Sequence, residues 1–166
     1  MQLLISDANI LIDIARLELI KEFYSLPHDI QTTDFALAEL YDTQRAILSH
    51  NRLTIIPTPD GPALDEISDL FNAHAGISFQ DASVWYYART HGGVLLTGDG
   101  TLRKKAMKDG VTVRGILFIL DELKKHGIIS IATTLVKLQL LQEINTRLPE
   151  GEIQRRIARL TDELKQ

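Results

Sequence analysis

The 166 residues predict an α/β domain in which a parallel sheet is covered by helices on both faces. Three observations carry that reading. Short apolar runs alternate with stretches of helical period up to about residue 115, the pattern of strand–helix–strand units. Two of the runs, Leu3-Leu4-Ile5 and Val94-Leu95-Leu96, are apolar throughout, as strands buried on both faces are. From Gly115 onward the chain reads as helix alone.

The elements follow in order. A strand at about 2–6 leads into a short helix whose Ile10, Leu11, Ile12 and Ile14 would enter the core, and then into the amphipathic stretch 17–26. Residues 29–33, "DIQTT", form a second strand. A helix is expected from about Asp34 to Ser49, with Phe35, Leu37, Ala38, Leu40, Tyr41, Ile47 and Leu48 on its apolar face. A third strand, 53–57, is closed by Pro57. The next helix has Pro62 near its start and Gly76 after its end, the usual asymmetry. Ser78 then stands three residues before Asp81, as an N-cap with an acid in the first turn. Val94–Leu96 make the fourth strand, with Asp99 between Gly98 and Gly100 in an expected tight turn. A helix over 101–110 and a short strand over 111–115 complete the sheet, and three helices follow. In the last of these, Ile153, Ile157, Leu160 and Leu164 recur at helical spacing. The expected division is a sheet-bearing core over 1–115 and a helical extension over 116–166 packed on it.

Composition removes several classes of function. The chain has no cysteine, so disulfides, thiolate zinc sites and cysteine nucleophiles are excluded. Its apolar runs fall short of the roughly 20 residues that span a bilayer. With no signal-peptide pattern at the start, a cytoplasmic protein without a membrane segment is expected. The net charge of −4 is unevenly spread. Residues 1–100 carry 5 Lys/Arg against 14 Asp/Glu, and residues 101–166 carry 13 against 8. An acidic centre beside a basic surface suits a polyanionic ligand, although solvated helix faces give the same asymmetry. The five histidines are scattered over loops and helix ends and read as surface residues. Arg155, Arg156 and Arg159 read the same way.

In parallel sheets ligands gather outside the carboxyl ends of the strands. Asp7 and Asp99 would both stand there, and a cation explains two acids at one rim better than packing does. Asp81, at a helix start, would project toward the same rim. Glu39 sits among Leu37, Ala38 and Leu40; pointing inward it is costly without a metal or a partner, and pointing outward it joins Asp42 and Arg45 in solvent. Asp81 also admits a plain capping role, and Asp99 a plain turn role. Asp13 reads as structural.

The order and spacing of the four acids resemble those of PIN-domain nucleases. The resemblance rests on "SDANILIDI" around Asp7, "TTDFALAEL" around Glu39, "ISFQDASVWYYA" around Asp81 and "VLLTGDGTLRKKA" around Asp99. It implies a three-layer α/β/α fold with a central parallel sheet of four to five strands, plus C-terminal helices. It further implies a ribonuclease that hydrolyses RNA phosphodiesters with Mg²⁺ or Mn²⁺, with Asp7, Asp81, Asp99 and Glu39 as catalytic and metal-binding residues. Asn9 and Thr97 would support these acids. Arg103, Lys104 and Lys105, just after Asp99, are candidate RNA-binding residues. Within the family the chain is similar to the toxins of bacterial toxin–antitoxin pairs of the virulence-associated protein C type, and its tail to a branch with extra C-terminal helices. That similarity implies a cognate antitoxin and a homodimer. Many members carry a further acid or Asn shortly after the residue matching Asp99; here Thr101, Leu102 and Arg103 follow, so one metal or two stays open. The alternative in a different class is a PIN-fold module that binds RNA or protein without cutting.

Overall fold

The computed structural model describes residues 1–48 and 52–166, apart from the side chain of Ile47. Five strands, β1 (Leu3–Ser6), β2 (Asp29–Thr33), β3 (Leu53–Ile56), β4 (Val94–Leu96) and β5 (Val113–Arg114), form one parallel sheet in the order β3-β2-β1-β4-β5. The chain builds outward from β1 in one direction, then returns to build outward in the other. The reversal therefore falls between β1 and β4, where parallel sheets open a crevice at their carboxyl edge.

Because successive strand residues face opposite ways, the sheet serves two cores. Leu4, Ile30, Val94 and Leu96 face one of them, covered by α1 (Ala8–Arg16), α2 (Ile20–Tyr24), α8 (Ile116–Lys125), α9 (Ile131–Ile144) and α10 (Glu150–Leu164). Ile5, Leu95 and Val113 face the other, covered by α3 (Asp34–Ala38), α5 (Gly61–Ala73), α6 (Phe79–His91) and α7 (Gly100–Lys108). The fold is thus α/β with an all-parallel sheet and C-terminal helices. The C-terminal helices share the first core: Leu138, Leu141, Ile153 and Leu160 are buried with residues of α1 and β1. None of the described helices is long and apolar enough to cross a membrane.

The single helix expected after β2 is two, α3 and α4 (Asp42–Leu48), broken at Glu39–Tyr41. The hydroxyl of Thr33 caps α3 by accepting from the amide of Ala36, and the helix ends after five residues. The break turns Tyr41 out to 78% exposure and leaves Ala38 exposed, so neither joins the expected apolar face, while Leu40 and Leu48 do. The expected helix end at Ser49 lies outside the described residues. Two further corrections concern charge. Arg156 is no free surface residue: its guanidinium bridges Asp121 of α8 and Glu152 of its own helix, tying α10 to α8. His28 is 7% exposed rather than on the surface, and pairs with Glu122 of α8.

Candidate active site

Backbone pairing delivers the central acids. Ser6 pairs with Leu96, and the amide of Asp7 donates to the carbonyl of Leu96 at 3.0 Å. Thr97 is held on its other side by the carbonyl of Arg114. Asp7 and Thr97 therefore emerge side by side where the strand order reverses. Each strand then turns directly into a helix, because its acid is an N-cap. One oxygen of Asp7 accepts from the amide of Ile10 at 2.8 Å, and Asp99 accepts from the amide of Leu102 at 2.7 Å. Asp99 is thus a helix cap and not the centre of a glycine turn. Neither Gly98 nor Gly100 has a left-handed backbone, and a side chain at either would meet nothing.

Thr97 joins the two acids. Its hydroxyl donates to the second oxygen of Asp7 at 2.6 Å and accepts from the amide of Asp99 at 3.1 Å. Asp81 comes from the other core, in a capping box: Ser78 Oγ accepts from the Asp81 amide, and Asp81 Oδ2 accepts from the Ser78 amide. The first turn of α6 is fastened to β2 by a hydroxyl chain, Thr33 Oγ1 to Ser83 Oγ at 2.7 Å and Ser83 Oγ to the carbonyl of Gln80. The capping role and a role at the rim are compatible, since the cap uses Oδ2 alone. Glu39, at the end of α3, is exposed, the outward of its two expected orientations. Asn9, in the first turn of α1, is also exposed.

The electrostatics are one-sided. Asp7 is 5% exposed, and burial is the main reason its proton affinity rises, to about 6. Hydrogen bonds from Thr97 and Ile10 oppose the rise, while the charges of Asp81 and Asp13 add to it. Glu39 is likewise raised, by partial desolvation first and by Asp81 second. Asp81 thus couples to both. Among the described residues, no Lys or Arg forms a salt bridge with Asp7, Glu39, Asp81 or Asp99. An all-oxygen donor set with surplus negative charge suits a hard divalent cation. The four acids do not close on one point: among the described residues the one triplet of metal-type side chains with ligand atoms within 4.8 Å of one another is His28, Glu122 and His126.

That triplet is a different kind of site. It stands at the amino end of the strands, since His28 directly precedes β2. His28 Nδ1 accepts from the amide of Gln2 at 3.3 Å, so its proton resides on Nε2, which donates to Glu122 at 3.0 Å. Burial raises the Glu122 proton affinity, but hydrogen bonds from Lys125 and His28, the Lys125 charge and the His126 hydrogen bond outweigh it, and the net is lowered.

The basic residues divide. Arg103 donates to the carbonyl of Thr97 and packs over Gly115, bracing the end of β4. Lys104 and Lys105 line a separate cleft with Lys108, His74 and Asp109, on the α5–α6 side. Sequence reasoning missed Arg16, Asn145 and Arg147, which share a cleft with Asn9, Asp13 and Asp99. No local signal announces them, because Asn145 reaches Asp13 across 132 residues.

The fold is a parallel α/β sheet with an acidic rim at its strand-order reversal, where such sheets bind their ligands. The chain belongs to the PIN-domain family: the family model DUF3368, described as a PIN domain, matches residues 3–162. That match continues through the C-terminal helices. PIN domains are generally nucleases and typically bind divalent metals. No curated protein matches the chain. Among solved structures, the crystal structure of PAE2754 from Pyrobaculum aerophilum is similar at 20% identity and a TM-score of 0.53, over 74% of this chain and 96% of that one. At that identity the likeness concerns the fold.

Proposed function

We propose that the chain is a divalent-metal-dependent endoribonuclease and the toxin of a toxin–antitoxin pair, acting as a homodimer and restrained by a cognate antitoxin. One observation carries the nuclease reading: the buried carboxylate of Asp7 is held beside Asp99 by Thr97, with other acids and no basic side chain to balance it. A stable fold has no use for that charge unless a cation completes it. A module that only binds RNA or protein would gain from neutral residues at these positions.

Asp7, Asp81 and Asp99 would hold Mg²⁺ or Mn²⁺, directly or through water. When bound, the cation polarises the scissile phosphate and eases loss of a proton from an attacking water. Glu39, exposed and with raised proton affinity, would take that proton as the water oxygen bonds to phosphorus, while the P–O ester bond breaks and its leaving oxygen takes a proton from solvent. Thr97 keeps the Asp7 carboxylate and the start of α7 in register. No nucleophilic side chain is required.

The test is cleavage of a pool of structured and single-stranded RNA by pure protein with Mg²⁺, Mn²⁺ or EDTA. Asp7→Asn and Asp99→Asn are each expected to lower the metal-dependent rate by about 10² or more. Cleavage that survives both, or that ignores EDTA, would overturn the reading. Co-purification with the product of the adjoining gene, and light scattering of the pure chain, test the antitoxin and the dimer.

A further inference from the structure

We infer that the cleft between α1 and the α9–α10 turn is the subsite for the sugar–phosphate backbone of the RNA strand flanking the scissile phosphate. This inference rests on the ribonuclease reading above. The cleft has a volume of about 270 Å³, and Gly98 and Asp99 form one wall, so it opens directly onto the acidic rim. Its other wall is the segment Ile144–Leu148, contributed by the C-terminal helices.

Charge gives the reason for its role. The rim is negative and repels a phosphodiester strand, so attraction has to come from a cation at the rim and from basic groups beside it. Arg16 and Arg147 are the basic side chains that line this cleft. Among the described residues neither forms a salt bridge. Asp13 lies within reach of both charges, and with Asp99 in the facing wall the lining sets two cations against two carboxylates; a divalent cation held at Asp99 tips that balance to positive. The turn carrying Arg147 is preset. Asn145 Nδ2 donates to Asp13 Oδ2 at 2.9 Å, and Asn145 Oδ1 accepts from the Arg147 amide at 3.2 Å. Phosphate contacts of this kind set the register of a strand without reading bases, and the exposed Asn9 at the mouth can meet a ribose 2′-hydroxyl.

The basic run on α7 is the rival track, and its placement argues against it. Asp99 caps the start of α7 while Lys108 ends it, about 13 Å away along a nine-residue helix. The cleft that Lys104, Lys105 and Lys108 line holds Asp109, already bound to Arg89 and Trp85.

The experiment compares the full chain with Arg16→Gln/Arg147→Gln, with Arg147→Glu alone, and with Lys104→Gln/Lys108→Gln. Binding of a labelled single-stranded RNA is read in the Asp7→Asn background over a salt series, and steady-state cleavage in the unaltered background. The first double variant is expected to weaken binding by about tenfold and to flatten the salt slope by about 1.4, the value for two lost phosphate contacts on a single strand. In cleavage the loss falls mainly on KM. Arg147→Glu moves binding in the same direction, and the α7 variant leaves it within twofold (about the noise of such measurements). If the parent chain cleaves RNA while the Arg variants keep its KM and salt slope, the subsite is overturned and the ribonuclease reading stands. Loss confined to the α7 variant also overturns it. If the parent neither binds nor cuts RNA with Mg²⁺ or Mn²⁺, both readings fall together.

Discussion

Asp7 and Glu122 are both carboxylates withdrawn from water, at opposite ends of the same sheet, and their surroundings treat them in opposite ways. Glu122 is 8% exposed and meets Lys125, His28 and His126, which favour its charge despite burial. Asp7 is 5% exposed and meets two neutral donors and the charges of two other acids. Burial by itself therefore distinguishes nothing. What separates a clasp from a site is the sign of the neighbours: the clasp is complete within the chain, while the rim lacks a positive charge that must come from outside.

The sharpest way to break this comparison is pH. Folded Asp7 holds its proton more tightly than unfolded Asp7, with an affinity near 6 against a usual value of 3.8. Between about pH 4 and pH 6 the folded chain keeps a proton that the unfolded chain has lost. The metal-free protein is therefore expected to lose stability as pH rises through that window, by on the order of 3 kcal/mol from this group, and to level off above it. Asp7→Asn removes that decline. Mg²⁺ or Mn²⁺ should raise the melting temperature at pH 7.5 and raise it less at pH 5, where the proton competes. Thermal melts of both chains across pH, with and without metal, decide the matter; parallel curves would show that Asp7 carries no uncompensated charge.

Glu122→Gln tests the other end. It is expected to cost about 2 kcal/mol, the usual worth of hydrogen bonds to a charged group, and to leave RNA cleavage intact below the new melting temperature. Activity lost while the chain is still folded would make the clasp part of the site. The smallest effect sharpens the role of Thr97. Thr97→Val removes one of the hydrogen bonds that hold the Asp7 proton affinity down, so the acidic limb of the pH–rate profile should move upward. Activity should fall by roughly tenfold, as for other partners of metal-binding carboxylates. A profile that keeps its limb would mean that Asp7 does not titrate in the working enzyme.

The strand assignments were legible because apolar runs between turn residues leave few alternatives. The strands at 29–33 and 94–96 lie where the pattern places them. The helix after β2 was harder. Its apolar residues keep helical spacing through Leu40, and only the packed chain shows the break that exposes Tyr41 and leaves Glu39 at a helix end. The acids were visible one at a time as cap residues, yet a cap and a ligand look alike in sequence, and Asp7, Asp81 and Asp99 all serve as caps or capping-box partners here. His28 was misread because burial depends on α8, far along the chain. Arg16 and Arg147 carried no signal, since each is an ordinary surface arginine until Asn145 fastens its turn to Asp13.

The sequence by itself determined that this is a parallel α/β chain with acids at the carboxyl ends of its first and fourth strands, because strand burial and helix capping are local properties written in neighbouring residues. Only the tertiary structure decided which charges face one another. Placing Thr97 against Asp7, Glu122 against Lys125 and His28, and the Arg147 turn against α1 depends on contacts between distant segments. Coulomb energies depend on distance and desolvation, and neither exists until the chain has folded.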